Sequence, residues 1–181
     1  MLSKTFDNAT SCSSDNAVVI EESVYDEMVA ALVAEGGYLC NAEEKEAMRN
    51  AMWDAETGKR KSSTTAKDPD IMAKEAGFKN EAALQAKFFM VEETGYGIGY
   101  PFSDEKLSLV LTVYKAKDFE EALKITKGIL AFKGRGHSCG LHTKNEEHVL
   151  RIGMEMDVCR LLINQAQCFG NGGSFDNGLN F

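Results

Sequence analysis

Hydrophobic positions along the chain change period several times, and each change marks an element. Residues 17–21, AVVIE, form a short apolar run that predicts a buried strand. Val24, Met28, Ala31 and Leu32 then recur at helical spacing. Ser23 is placed to cap that helix, with Asp26 three residues on, and Gly36-Gly37 end it. A second helix is predicted from Asn41 to about Trp53, with Glu44 at the third position of a capping box. The polar stretch ETGKRKSSTTAKD reads as a flexible loop. Asp68-Pro69 opens a third helix, a cap residue followed by the imino acid that a first helical turn tolerates, and Gly77 closes it.

From residue 87 the pattern becomes regular. KFFMVEE (87–93) reads as a strand and is followed by a glycine- and tyrosine-rich loop. LVLTVYKA (109–116) is almost continuously apolar, as expected of a strand covered on both faces. Asp118, with Glu121 after it, caps a helix lined on one side by Phe119, Ala122, Leu123, Thr126, Ile129 and Leu130. HSCGLHT (137–143) is the next strand. Asn145 opens a helix whose Val149, Ile152, Gly153 and Met156 are expected to face inward, and RLLIN (160–164) is the last strand. Strands alternating with helices predict an α/β fold, a parallel-rich sheet flanked by helices with right-handed crossovers. The final FGNGGSFDNGLNF carries Phe169, Phe175, Leu179 and Phe181 among glycines. That segment and the first residues are both expected to be interior points of a longer polypeptide.

Composition narrows the function classes. With 181 residues, 44% of them hydrophobic, the chain can bury one real core. A net charge of −8, with GKRK (58–61) the one basic cluster, argues against non-specific nucleic-acid binding, which needs a basic face. No apolar run approaches the roughly 20 residues of a membrane span. The five cysteines, Cys12, Cys40, Cys139, Cys159 and Cys168, are odd in number and never spaced C-x-x-C. With His137, His142 and His148 they give no zinc pattern, so no metal is expected and a reducing, cytoplasmic location is.

Cys12 is the first candidate for chemistry. It stands among Thr10, Ser11, Ser13, Ser14, Asp15 and Asn16, which is not a core composition, just ahead of a strand. A thiol there could sit at a sheet end, where ligands bind in parallel α/β folds, although most cysteines are inert small hydrophobes. His137, in GRGHSCG, is either a half-buried residue after a glycine turn or a proton shuttle. His142, five residues on, would not share one face of a regular strand with it. His148 is expected to be solvated on a helix. Neither GRGHSCG nor TGYGIGY has the spacing and following helix of a dinucleotide-binding loop.

SKTFDNATSCSSDNAVVIEESVYDEMVAALVAEGGYL resembles the catalytic segment of the CoA-acylating aldehyde dehydrogenases, including the aldehyde half of the bifunctional aldehyde–alcohol dehydrogenases. The likeness continues in order through IMAKEAGF, PFSDEKLS, YKAKDFEEAL, GRGHSCGLHT and RLLIN. TFDNATSCSS and FGNGGSFDNGLNF look most like the members that act on sulfoacetaldehyde. The resemblance implies that Cys12 is the nucleophile, forming a thiohemiacetal with an aldehyde and then a thioester that coenzyme A cleaves, with NAD or NADP taking the hydride. It implies that Glu105, with Phe102 beside it, contacts the cofactor, and that His137 serves the acyl-transfer half. Glu105 could equally be a solvated charge and Phe102 a packing residue. One departure is Leu109, where several relatives carry proline. The resemblance further implies a nucleotide-binding half ahead of residue 1, an oligomerisation strand beyond residue 181, and a homo-oligomeric full-length enzyme. On that basis the 181 residues alone would be a nearly inactive catalytic domain, with the Cys12 N–H as their oxyanion donor. Two other readings stand beside it, a non-catalytic binding or assembly module and a Cys/His hydrolase using Cys12 and His137, the latter lacking an evident orienting residue.

Overall fold

The computed structural model describes residues 1–172. Helix α1 (Leu2–Thr5) and a tight turn (Phe6–Ala9) lead into strand β1 (Ala17–Glu21). Then follow α2 (Tyr25–Ala34), β2 (Gly37–Leu39), α3 (Ala42–Met52), α4 (Pro69–Glu75) and α5 (Glu81–Leu84). The second half runs β3 (Phe88–Glu92), β4 (Val110–Ala116), α6 (Phe119–Ile129), β5 (Gly136–Leu141), α7 (Glu146–Glu155), β6 (Val158–Ile163) and α8 (Gln167–Gly172). The expectations for Phe175, Leu179 and Phe181 lie outside the described residues.

Four strands form one all-parallel sheet in the order β1-β4-β3-β2, with Ala17 opposite Thr112 and Phe89 opposite Val110. The α/β fold read from the sequence is the one observed. Central β3 and β4 are buried along nearly their whole length, which explains their nearly continuous apolar runs. Their side chains join Met48, Met52 and Met72 in the main core. The remaining strands, β5 and β6, pair in parallel with each other and not with the four. They have their own small core of Phe119, Leu123, Cys139, Ile152 and Met156.

Local chemistry accounts for most boundaries. Asn41 and Glu44 close a reciprocal capping box on α3, each side chain taking the other residue's backbone N–H at 2.9 Å. The Asp118 carboxylate accepts from the Glu121 N–H at 3.0 Å, and Asn145 caps α7. Ser23 does not cap α2. A short 3₁₀ turn over Glu22–Val24 intervenes and the helix begins at Tyr25. Consequently Tyr25 is buried, its hydroxyl bonded to the Glu92 carboxylate, whereas Val24 and Met28 are exposed. The glycines expected only to end α2 do more. Gly36, at φ +100°, stops the helix, and Gly37 begins β2 with its Cα under the Phe88 ring.

The polar stretch expected to be flexible is tied down. Trp53 pairs with Arg60, Lys61 Nζ donates to the Asn50 carbonyl at 2.8 Å, and the Ala66 N–H donates to the Leu107 carbonyl at 2.9 Å. Thr64 is buried within it. Two further expectations change. Gly153 is exposed while Ile152 and Met156 fill the α7 contact, and His148 is half-buried, its ring stacked on Phe119 at 3.7 Å.

Candidate active site

The turn carrying Cys12 is held from several directions. Ahead of it Asp7, Asn8 and Ala9 all adopt left-handed backbone, with φ of 48°, 50° and 59°. Such a run in non-glycine residues costs energy and persists because the surroundings determine it. Ala9 is fully buried, and Asn8 Nδ2 donates to Asp68 Oδ1 at 2.7 Å. The Asp68 side chain expected to cap α4 is therefore used to anchor this arm, and makes no cap bond. Within the turn the Ser14 N–H donates to the Ser11 carbonyl at 3.0 Å, and the Ser11 and Ser13 hydroxyls bond at 2.7 Å. Ser13 and Ser14 are buried, and Cys12 is the exposed member of the three.

Lys4 closes the loop from below. Its side chain is 1% exposed and donates from Nζ to the Asp15 carbonyl at 2.9 Å. Burial lowers its pKa to about 7, against the pull of the Asp15 charge. The Asp15 carboxyl is in turn raised by burial, a rise opposed by the Ser3 hydroxyl and by Lys4.

All of this lies at the amino end of β1. Because β1 and β4 are parallel, the loop preceding β4 reaches the same edge of the sheet. That loop carries Phe102 and Glu105. The sheet end anticipated for Cys12 is thus the amino edge, opposite to the carboxyl edge where ligands of open parallel sheets ordinarily bind. The two segments are joined directly. Asn16 Oδ1 accepts from the Lys106 N–H at 2.9 Å, and the Asn16 carbonyl accepts from the Thr112 N–H at 3.1 Å.

Glu105 is exposed, and its carbonyl accepts from the Arg60 guanidinium at 3.0 Å. Phe102 is different. It is 1% exposed, edge-on to Trp53 with ring centroids 5.0 Å apart, and its carbonyl accepts from Lys106 Nζ at 2.7 Å and from the Thr112 hydroxyl at 2.6 Å. Its environment is that of the packing alternative, and only its backbone bears on the loop.

A cleft of about 1320 Å³ runs between β1 and β5 and brings Cys12, Glu105 and Arg60 to the same cavity as His137 and His142. His137 is half-buried, its Nδ1 2.9 Å from the Ser138 hydroxyl. His142 lies beyond the end of β5, so the alternation expected to separate it from His137 does not apply. The expectation that the two could not share a site assumed a strand reaching Thr143, whereas β5 ends at Leu141. The other thiols divide by burial. Cys40 and Cys139 are buried, which pushes their pKa values up to about 12 and about 11 and keeps them protonated. Cys12 and Cys159 are exposed, the latter donating to the His137 carbonyl at 2.9 Å. Among the described residues no group of three or more His, Cys, Asp or Glu is placed to hold a metal ion, and no helix is long and apolar enough to cross a membrane.

No family model matches the chain. Individual proteins do. The chain is 48% identical over 179 residues to a sulfoacetaldehyde dehydrogenase (acylating) of Cupriavidus necator, covering 99% of this chain and 36% of that protein. It is 42% identical to the corresponding enzyme of Bilophila wadsworthia, covering 94% and 37%. Among solved structures, an acetylating aldehyde dehydrogenase from Geobacillus thermoglucosidasius superposes with a TM-score of 0.89 at 33% identity, over 96% of this chain and 37% of that one. The chain spans a little over a third of the length of these relatives. In both sequence and fold, the chain is similar to about a third of an acylating aldehyde dehydrogenase.

Proposed function

We propose that these residues carry the thiol-acylating centre of an enzyme that oxidises an aldehyde to its acyl-CoA. One observation supports this above others. Cys12, an exposed thiol on a turn fixed by buried partners, shares a cleft with Glu105 and His137, in a chain 48% identical to an acylating enzyme across 99% of its length.

In this reading the Cys12 thiolate adds to the aldehyde carbon, giving a thiohemiacetal. Loss of hydride from that carbon leaves a Cys12 thioester, and the thiolate of coenzyme A displaces Cys12 to release acyl-CoA. A bound nicotinamide nucleotide, NAD or NADP, supplies the hydride acceptor. The residues present fit one end of such a nucleotide. Glu105 offers an exposed carboxylate on a loop braced by Arg60 and Asn16, suited to accept from ribose hydroxyls beside the thiol. The rest of the nucleotide, and any oligomeric assembly, would be met by residues outside these 181. His137 holds Nδ1 against the Ser138 hydroxyl, which orients Nε2 to take the proton of the incoming coenzyme A thiol. The aldehyde is assigned as sulfoacetaldehyde, because relatives with that name reach 41–48% identity and the bifunctional and succinate-semialdehyde enzymes only about 28–32%.

The test is acyl-CoA formation from sulfoacetaldehyde, propionaldehyde and succinate semialdehyde by the polypeptide carrying these residues. NAD(P)⁺- and CoA-dependent turnover, fastest with sulfoacetaldehyde and lost in Cys12→Ser, is expected. Ester hydrolysis lost in the same variant, without any nicotinamide requirement, would replace this reading with a hydrolase.

A further inference from the structure

The nucleophile turn and the Glu105 loop come from segments about ninety residues apart, yet one side chain fastens them. We propose that Asn16 is a positioning residue that sets Glu105 relative to Cys12. The proposal rests on the reading of those two residues given above.

The Asn16 carboxamide is used at both ends. Its Oδ1 accepts from the Lys106 N–H at 2.9 Å, and its Nδ2 donates to the Ser14 carbonyl at 3.3 Å, two residues past Cys12. The Asn16 backbone is itself fixed, its carbonyl accepting from Thr112 of β4. On the far side, Lys106 is 1% exposed and folds back on its own loop, donating from Nζ to the carbonyls of Phe102 and Asp104 at 2.7 and 3.1 Å. The Thr112 hydroxyl bonds the same Phe102 carbonyl. The loop from 102 to 106 is thus tied to itself and to β4, and Asn16 bonds its Lys106 N–H to the Cys12 turn.

The chemistry of the carboxamide explains the residue type. Satisfying an N–H on one side and a carbonyl on the other needs an acceptor and a donor on one short rigid group. A carboxylate can serve the Lys106 N–H but not the Ser14 carbonyl, and an alanine serves neither. Without Asn16 the buried Lys106 N–H loses its acceptor, so the loop must shift to reach water or another partner. Glu105, the adjacent residue, moves with it.

The two halves of the carboxamide predict a split in kinetics, read in the acylating enzyme that carries these residues. Asn16→Ala and Glu105→Gln should each raise the KM for the nicotinamide cofactor about tenfold, and the double variant should be no worse than about the larger single effect. Asn16→Asp keeps the acceptor for Lys106, so its cofactor KM should stay within about twofold while kcat falls about tenfold through the Cys12 turn. Hydrogen exchange at the Lys106 amide should accelerate in Asn16→Ala and not in Asn16→Asp. An unchanged cofactor KM in Asn16→Ala, with Glu105→Gln raised, would overturn the role of Asn16 and leave that of Glu105 intact. An unchanged KM in Glu105→Gln would overturn the cofactor role of Glu105 and the coupling with it. Additive effects in the double variant would show the two acting independently and refute the proposal. Should Asn16→Ala fail to fold, a cofactor KM in Asn16→Asp raised as far as in Glu105→Gln would refute it equally.

Discussion

Lys4 reaches past the Cys12 turn and donates from Nζ to the Asp15 carbonyl at 2.9 Å. That contact cinches a loop of the chain around the exposed thiol, and it does so with an amine that is almost wholly shielded from water. Burial there disfavours the charged form of the side chain.

Stability should therefore rise with pH on the alkaline side of neutrality. Burial lowers the Lys4 pKa to about 7, and lowers that of Lys106 as well, whereas an unfolded lysine titrates near 10.4. Between those values the unfolded chain binds protons that the folded chain does not, so the unfolding free energy increases with pH. Cys40 and Cys139 have raised pKa values and act the other way once unfolded thiols ionise near 8.5, as do Tyr25, Tyr38 and Tyr114 once unfolded tyrosines ionise near 10. Urea midpoints measured from pH 7 to about 8.5 should climb, and Lys4→Met should flatten part of that climb. A level wild-type profile would contradict this account of Lys4.

The thiols should label in an order set by burial. Cys12 and Cys159 are exposed and should be alkylated by iodoacetamide in the native protein. Cys40 and Cys139, buried and held protonated, should react only after denaturant is added. Peptide mass spectrometry at pH 8 reads this directly, and native labelling of Cys40 ahead of Cys12 would show the packing to be different.

Phe102 separates packing from cofactor contact. Its ring lies against Trp53 in the core, so Phe102→Leu should cost about 1–2 kcal/mol, short of the roughly 3–5 kcal/mol of truncation to alanine. The cofactor KM should stay within about twofold. A tenfold rise without loss of stability would return Phe102 to the binding site.

Gly37 lies against Leu32 of α2 and Phe88 of β3 with no room for a side chain. A Cβ there would lie 2.7 Å from the buried Phe88 ring and 2.9 Å from the Leu32 carbonyl, and neither can yield easily. Gly37→Ala should destabilise the fold by about 1–3 kcal/mol. Asn41→Ala, which removes only the capping box of α3, should cost about 1 kcal/mol. Equal denaturant midpoints for the two variants would mean that β2 relaxes more readily than its contacts imply.

Much of the architecture was legible in the residues. The nearly continuous apolar run in β4, the caps at Asn41, Asp118 and Asn145, and the alternation of strands and helices after residue 87 are local signals, and local physics decides them. The same holds for Cys12, whose polar neighbours distinguish it from the buried thiols before any coordinate is known. Ser23 misled because a 3₁₀ turn competed with its cap. Three-residue β2 is too short to show a period.

The sequence by itself determined most of the longer elements and which thiol stands in a polar turn, because backbone propensity, capping and hydrophobic period act over a few residues. Only the tertiary structure decided what meets at the site. Parallel pairing of β1 with β4 carries the Glu105 loop to the Cys12 turn, and one carboxamide at Asn16 bonds them. The position of His142 past the end of β5 admits it to the cleft, and the core around Trp53 claims Phe102. Those outcomes depend on contacts between residues tens of positions apart, which no local pattern encodes.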